Sequence, residues 1–220
     1  YVGYSSGVTP VVRLDFGLES DYTNLTNQVD GTQYTDISYT GGLSLNNDEL
    51  EIAQQNNVTF SNLPPEQFTI MLKYKFTTTN KHWHGISFKQ ENDNYTVFMH
   101  VRETQTQYKL TSMKQNSSQL FTFGDQGYPD ERFYDVGTQY SFAYVKTDTS
   151  LNFFENQSLI SSISNDFSLN EFWVNREGNA SIYNTDIAIA DVKIFDTAVD
   201  VPNYVDIVEN VTSYIVTVSN

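Results

Sequence analysis

Phe68-Thr69-Ile70-Met71-Leu72-Lys73-Tyr74-Lys75-Phe76 is the stretch on which the fold turns. Apolar side chains recur at every second position, at Phe68, Ile70, Leu72, Tyr74 and Phe76, while Lys73 and Lys75 fall between them. Successive side chains of a β-strand point to opposite faces, so this pattern predicts a strand with one buried and one solvated face. Pro64 and Pro65 stand just before it, where the missing N–H of proline costs no ladder bond.

Working outward, the same alternation, or a short run of β-branched and aromatic residues, predicts strands over 11–16, 83–89, 95–102, 108–113 and 120–123. Others follow over 140–146, 151–155, 159–163, 172–174, 187–195 and 214–218. Turn-like polar stretches separate them at 90–94, 104–107, 124–130 and 148–150. Residues 18–62 are less patterned and read as loops with short strands, such as one over 49–53. Helical periodicity is nearly absent. Many short strands with close turns predict an all-β sandwich.

Composition narrows the function. The 220 residues include 12 Lys and Arg against 27 Asp and Glu, a net charge of −15. Binding nucleic acid requires clustered cations that release counterions, so that class is excluded, as is docking on an anionic membrane. There is no cysteine, which excludes thiolate zinc sites and cysteine nucleophiles. No apolar run reaches the length of a membrane span. Polarity rests on Asn, Thr, Ser and Gln rather than on charge.

Several stretches together resemble the concanavalin A-like superfamily, in its laminin-G/pentraxin branch. Arg13-Leu14-Asp15-Phe16 is similar to the opening L-D-F strand, and Gly41-Gly42-Leu43-Ser44-Leu45 to the G-x-x-L-x-F strand. The Phe68 stretch is similar to F-T-I-S-x-W-V-K, with Tyr74 in place of the tryptophan. Tyr140-Ser141-Phe142-Ala143-Tyr144-Val145 falls where the family has W-x-H-V-A-x-T. Residues 152–159 resemble L-Y-V-N-G-x-L, with Gln157 in place of glycine. Ile189-Ala190-Asp191-Val192-Lys193-Ile194-Phe195 resembles the closing I-x-D-V-R-I-Y strand. The resemblance implies a two-sheet antiparallel jelly-roll sandwich over 1–200. It leaves 201–220 as a C-terminal extension, an extra strand that pairs within the domain or with a neighbouring subunit. It implies no activity, because the fold hosts lectins, adhesion modules, hydrolases and lyases alike.

Seven N-glycosylation sequons begin at Asn24, Asn57, Asn94, Asn116, Asn156, Asn179 and Asn210, which points to a secreted or cell-surface protein. Sandwich glucanases carry carboxylates on alternate residues of one strand. Here the nearest run is Asp48-Glu49-Leu50-Glu51, where Glu49 and Glu51 could share a face but a third member is missing. A solvated strand edge is the simpler reading. His82 and His84 flank Trp83 and read as a polar pair at a strand start, and His100 stands alone. Asp125, Asp130 and Glu131 supply hard oxygens in one loop and are the candidate calcium ligands, against an ordinary acidic loop. Tyr95, Tyr108, Tyr128 and Tyr134 lie near loops and could stack on sugars, against a role in filling the core.

The expected function is a non-catalytic extracellular structural or adhesive module, in contact with protein subunits or glycans and able to form homo-oligomers by strand addition. The alternative is a calcium-dependent lectin. A glycoside hydrolase or polysaccharide lyase has only the fold in its favour.

Overall fold

The structure is a computed structural model. It describes residues 8–204 apart from 54, 79–82, 91–94, 104–106, 116–117, 123–129, 165–167, 178–180 and 183–185. The expected strand over 214–218 lies outside the described residues.

Phe68–Phe76 forms as the alternation predicts. Phe68, Ile70, Leu72, Tyr74 and Phe76 are buried, and the strand sits in the middle of a sheet. From edge to edge that first sheet runs Ser158–Ser164, Ser150–Glu155, Gln139–Lys146, Phe68–Phe76, Ile187–Phe195, Glu49–Ile52 and Leu43–Asn46, with Val12–Asp15 also paired to Ile187–Phe195. A second sheet runs Ser118–Thr122, Gln107–Gln115, Tyr95–Glu103, Trp83–Gln90, Leu169–Val174, Asn57–Phe60 and Ile37–Thr40, with Arg132–Asp135 also paired to Gln107–Gln115. Among the described residues every pairing is antiparallel and no α-helix forms.

Facing rings join the two large sheets. Phe68 stacks on Phe88 at 5.8 Å, Phe76 on Tyr134 at 5.8 Å, and Tyr144 meets both Phe88 and Phe172. Such rings bury large apolar areas and hold offset or edge-to-face geometries. Two further two-stranded sheets lie apart, Thr26–Asn27 with Thr32–Gln33, and Arg176–Glu177 with Ser181–Ile182. The expectation of a plain two-sheet sandwich is corrected accordingly.

Residues 18–62, expected as loops with short strands such as one over 49–53, contribute four short strands to the two large sheets, Ile37–Thr40, Leu43–Asn46, Glu49–Ile52 and Asn57–Phe60. The face of the first sheet that carries Lys73 and Lys75 is not freely solvated either. Lys75 pairs with Glu49, and Lys193 lies 2.9 Å from Asp191, both members of that second pair being buried. Ala143, Val145 and Val201 form a small apolar cluster there with Met71, Phe154 and Ala198. Thr69 fastens the returning chain: its hydroxyl donates to the Thr197 carbonyl and accepts from the Val199 N–H, both at 2.9 Å. Val201–Asn203 makes a 3-10 turn, and Tyr204 closes edge-on against Phe195.

Asn156 and Gln157 join Ser150–Glu155 to Ser158–Ser164 as a two-residue turn, with φ of +46° and +69°. Positive φ at both central residues is the geometry in which glycine is favoured at the second. Gln157→Gly is expected to stabilise the fold by about 0.5–1 kcal/mol. A urea midpoint that fails to rise would refute this reading of the turn.

A polar groove at the end of the first sheet

The candidate site is a groove of about 410 Å³ at one end of the first sheet, within the range of small-ligand pockets. Register builds it. Ser44 pairs with Glu51, and Glu51 with Ala188, so strands distant in sequence place their outward side chains in one row. Leu50 and Ile52 point into the core, which turns Glu49 and Glu51 outward by alternation. Glu51 accepts hydrogen bonds from the Ser44 hydroxyl and the Asn46 amide, both at 3.2 Å.

The opposite wall comes from the end of Phe68–Phe76 and the start of Ile187–Phe195. The Thr77 N–H donates to the Asp186 carbonyl at 3.1 Å, and the Thr78 hydroxyl donates to Asp186 Oδ2 at 3.3 Å. Ser44, Glu51, Thr77, Thr78 and Asp186 thus line one concave space. The rim is set by Asn56, whose amide donates to the Gly42 carbonyl at 2.6 Å. Gly41 stands at φ +78°, which favours glycine, and a Cβ there would displace the Asn56 amide that sets the rim.

A second groove, of about 490 Å³, lies at Pro64, Pro65, Glu66, Gln67 and Asp196. It offers less to a polar ligand. Its prolines carry no N–H, and the Gln67 amide is held by Asp148 at 2.8 Å.

Sequence expectation and structure meet unevenly at the candidate residues. Glu49 and Glu51 do share a face, but Glu49 is buried against Lys75 rather than lying on a solvated edge. Tyr134, expected near a loop as a sugar platform, is fully buried between Phe76, Tyr140 and Phe142. Its hydroxyl donates to Glu155 at 3.2 Å. Burial, and then the Glu155 charge, push its phenol well above the usual tyrosine range. The exposed ring is its neighbour Phe133, which stands opposite Lys109 and is flanked by the Lys109–Glu131 and Gln107–Asp135 contacts.

Asp130 and Glu131 are exposed, and Glu131 pairs with Lys109, while Asp125 lies outside the described residues. Among the described residues no cluster of three metal-ligating side chains forms. His82 and Tyr128 are outside the described residues, and His84 lies in Trp83–Gln90 opposite Val101. Of the sequons, Asn94, Asn116, Asn179 and Asn210 fall outside the described residues. Asn24 and Asn156 are exposed. Asn57 is buried in a strand, its amide donating to the Thr40 hydroxyl at 2.7 Å, so the folded chain presents no accessible nitrogen there.

No protein-family model matches the chain, and no curated protein does. Solved structures do. A Trypanosoma rangeli sialidase in complex with sialic acid superposes with a TM-score of 0.61 at 6% identity, over 87% of this chain and 31% of the sialidase. The ligand binding domain of botulinum neurotoxin serotype D in complex with N-acetylneuraminic acid gives 0.51 at 12% identity, over 88% of this chain and 49% of that one. The receptor binding domain of the mosaic serotype C/D toxin gives 0.53 at 10% identity, over 89% and 49%. The chain thus spans about a third of the sialidase and half of the toxin domains. At these identities the likeness establishes a shared all-β fold.

No described helix is long and apolar enough to cross a membrane.

Proposed function

We propose that this chain is an extracellular, non-catalytic carbohydrate-binding module with a jelly-roll, concanavalin A-like fold. The observation that carries the reading is the groove that gathers two carboxylates and three hydroxyls, from Glu51, Asp186, Ser44, Thr77 and Thr78. Sugars suit such a lining, because their hydroxyl groups need convergent acceptors and donors. The fold likeness to proteins solved with N-acetylneuraminic acid or sialic acid supports the same class. This is the lectin alternative of the sequence reading, preferred over an assembly subunit.

The non-catalytic part is supported by the Glu49–Glu51 pair, the run nearest to a glucanase motif, whose members are engaged elsewhere, and turnover of the best ligand, assayed in wild type and Asp186→Asn, tests the Glu51–Asp186 pair across the groove. Glu49 is committed to Lys75, and Glu51 is held by Ser44 and Asn46. A glycosidase needs one carboxyl as proton donor and a second as base or nucleophile across the glycosidic bond.

The test is a glycan array followed by calorimetry on the best ligand, with and without calcium. Glu51→Gln and Asp186→Asn keep side-chain size but remove the charged acceptor. Each is expected to weaken binding about tenfold, the cost of a charge-assisted hydrogen bond. Binding that survives both substitutions unchanged would move the site elsewhere, with Phe133→Ala the next variant to measure. Silence across the array would end the reading.

A further inference from the structure

A glycosylation sequon belongs on a surface, because the sugar it accepts is bulky and hydrated. Asn57-Val58-Thr59 does not lie on one. Its residues open the strand Asn57–Phe60, which is held between Leu169–Val174 and Ile37–Thr40 in the second sheet. Asn57 is only 3% exposed, and Val58 and Thr59 are buried with it. Thr40 stands opposite Asn57 in the register, and the Asn57 amide nitrogen, the atom that would carry the sugar, donates to the Thr40 hydroxyl at 2.7 Å. On the other side Val58 pairs with Val174, and the buried Asn175 donates its amide to the Asn56 carbonyl at 2.8 Å. A sugar on the Asn57 nitrogen would have to part Asn57 from Thr40 and open this packing, and close-packed interiors hold no spare volume for it. Asn24 and Asn156, by contrast, are exposed.

The order of synthesis makes the conflict matter. Leu169–Val174, which pairs with Asn57–Phe60 on one side, is made long after it. Until it arrives the sequon is an extended stretch with one flank uncovered, open to an enzyme that transfers glycans to asparagine. We propose that an Asn-linked glycan at Asn57 blocks assembly of the second sheet, so that the chain matures only with Asn57 bare, whereas Asn24 and Asn156 tolerate the sugar. Modification at Asn57 and folding thus compete for the same side chain, and whichever comes first excludes the other. The proposal is independent of the carbohydrate-binding reading above.

The chain has no cysteine, so a single introduced thiol takes a sugar at one place only. The full chain carrying Asn24→Cys, Asn57→Cys or Asn156→Cys is unfolded in urea, part of each is alkylated with an iodoacetamide-linked N-acetylglucosamine, and both parts are refolded. The Asn24→Cys and Asn156→Cys chains are expected to refold alike with and without the sugar. The Asn57→Cys chain is expected to lose at least about tenfold in refolded yield once the sugar is attached. Sugar-bearing Asn57→Cys that refolds with an unchanged urea midpoint overturns the proposal, and so does an equal loss in all three variants. Should Asn57→Cys fail to refold even bare, secretion from a cell line that attaches Asn-linked glycans decides. Thr59→Val removes the sequon but keeps the Asn57 amide. Its secreted yield is expected to rise several-fold over wild type, with glycosylated Asn57 found only in wild-type chain retained in the cell. An unchanged yield, or a glycan on Asn57 in folded secreted protein, overturns the proposal.

Discussion

Phe88→Ala is expected to cost about 3–5 kcal/mol of stability, the largest effect of any single substitution considered for this chain. Phe88 is fully buried in Trp83–Gln90 of the second sheet. Its ring meets Phe68 of the first sheet at 5.8 Å, Tyr144 of the first sheet at 5.6 Å, and Phe172 of its own sheet at 5.2 Å. Truncation therefore leaves a void where the two sheets meet, and close-packed strands cannot collapse fully to fill it. Since a whole domain is stable by about 5–15 kcal/mol, the variant should lie near its unfolding threshold. Phe88→Leu should lose only about 1–2 kcal/mol, because most of the volume is kept. Equilibrium urea denaturation of the two variants decides the matter. A loss under about 1 kcal/mol for the alanine would mean that the sheets are not joined through this ring.

The second large effect is expected on the outer face of the same sandwich. Lys193 and Asp191 form an ion pair whose side chains are only 8% and 11% exposed. Like charges stand opposite each of them on the neighbouring strand, Arg13 across from Lys193 and Asp15 across from Asp191. Lys193→Met should cost about 1–3 kcal/mol, because it removes the ion-pair partner of a buried Asp191 and leaves Lys73, opposite it on Phe68–Phe76, as the facing cation. Among the described residues Asp191 Oδ1 already lacks a hydrogen-bond partner. The double variant Asp191→Leu with Lys193→Met should recover a good part of the loss, since a buried pair replaced by apolar groups of similar volume is often near neutral. A double variant less stable than the single would show that Asp191 is held by its other neighbours.

The long strands were legible in the sequence because their signal is local. Phe68–Phe76 carries enough alternating apolar positions to fix both limits and phase, and Ile187–Phe195 was legible in its limits, while the bulge between Ile189 and Asp191 shifts its phase. Two of the short strands within residues 18–62 were not. Ile37–Thr40 and Asn57–Phe60 have four residues each, half of them polar. Asn57 is buried there by a cross-strand hydrogen bond, which no periodicity announces. Phase fails for a related reason at Arg132–Asp135, where two adjacent aromatics leave either one free to face inward. The core takes Tyr134 and exposes Phe133.

Of the groove, Glu51 could be singled out as a carboxylate on an alternating strand. Asp186, Ser44 and Thr77 could not, because only the pairing of Ile187–Phe195 with Phe68–Phe76 and with Glu49–Ile52 brings them together. Sites assembled from register, with no motif of their own, leave no mark in a single sequence.

The central place of Phe68–Phe76 has a consequence for how the chain is made. Its two neighbours are Gln139–Lys146 and Ile187–Phe195, and both are synthesised long after it. During translation this apolar strand emerges with neither partner, and the middle of the sheet cannot close until the last of them has left the ribosome. Folding dominated by such distant pairings is slow and leaves strand edges open to other chains. The nascent chain is therefore expected to need shielding until Ile187–Phe195 has emerged. Yield from a cell-free system should respond to added chaperone more strongly than to the temperature at which the finished domain melts.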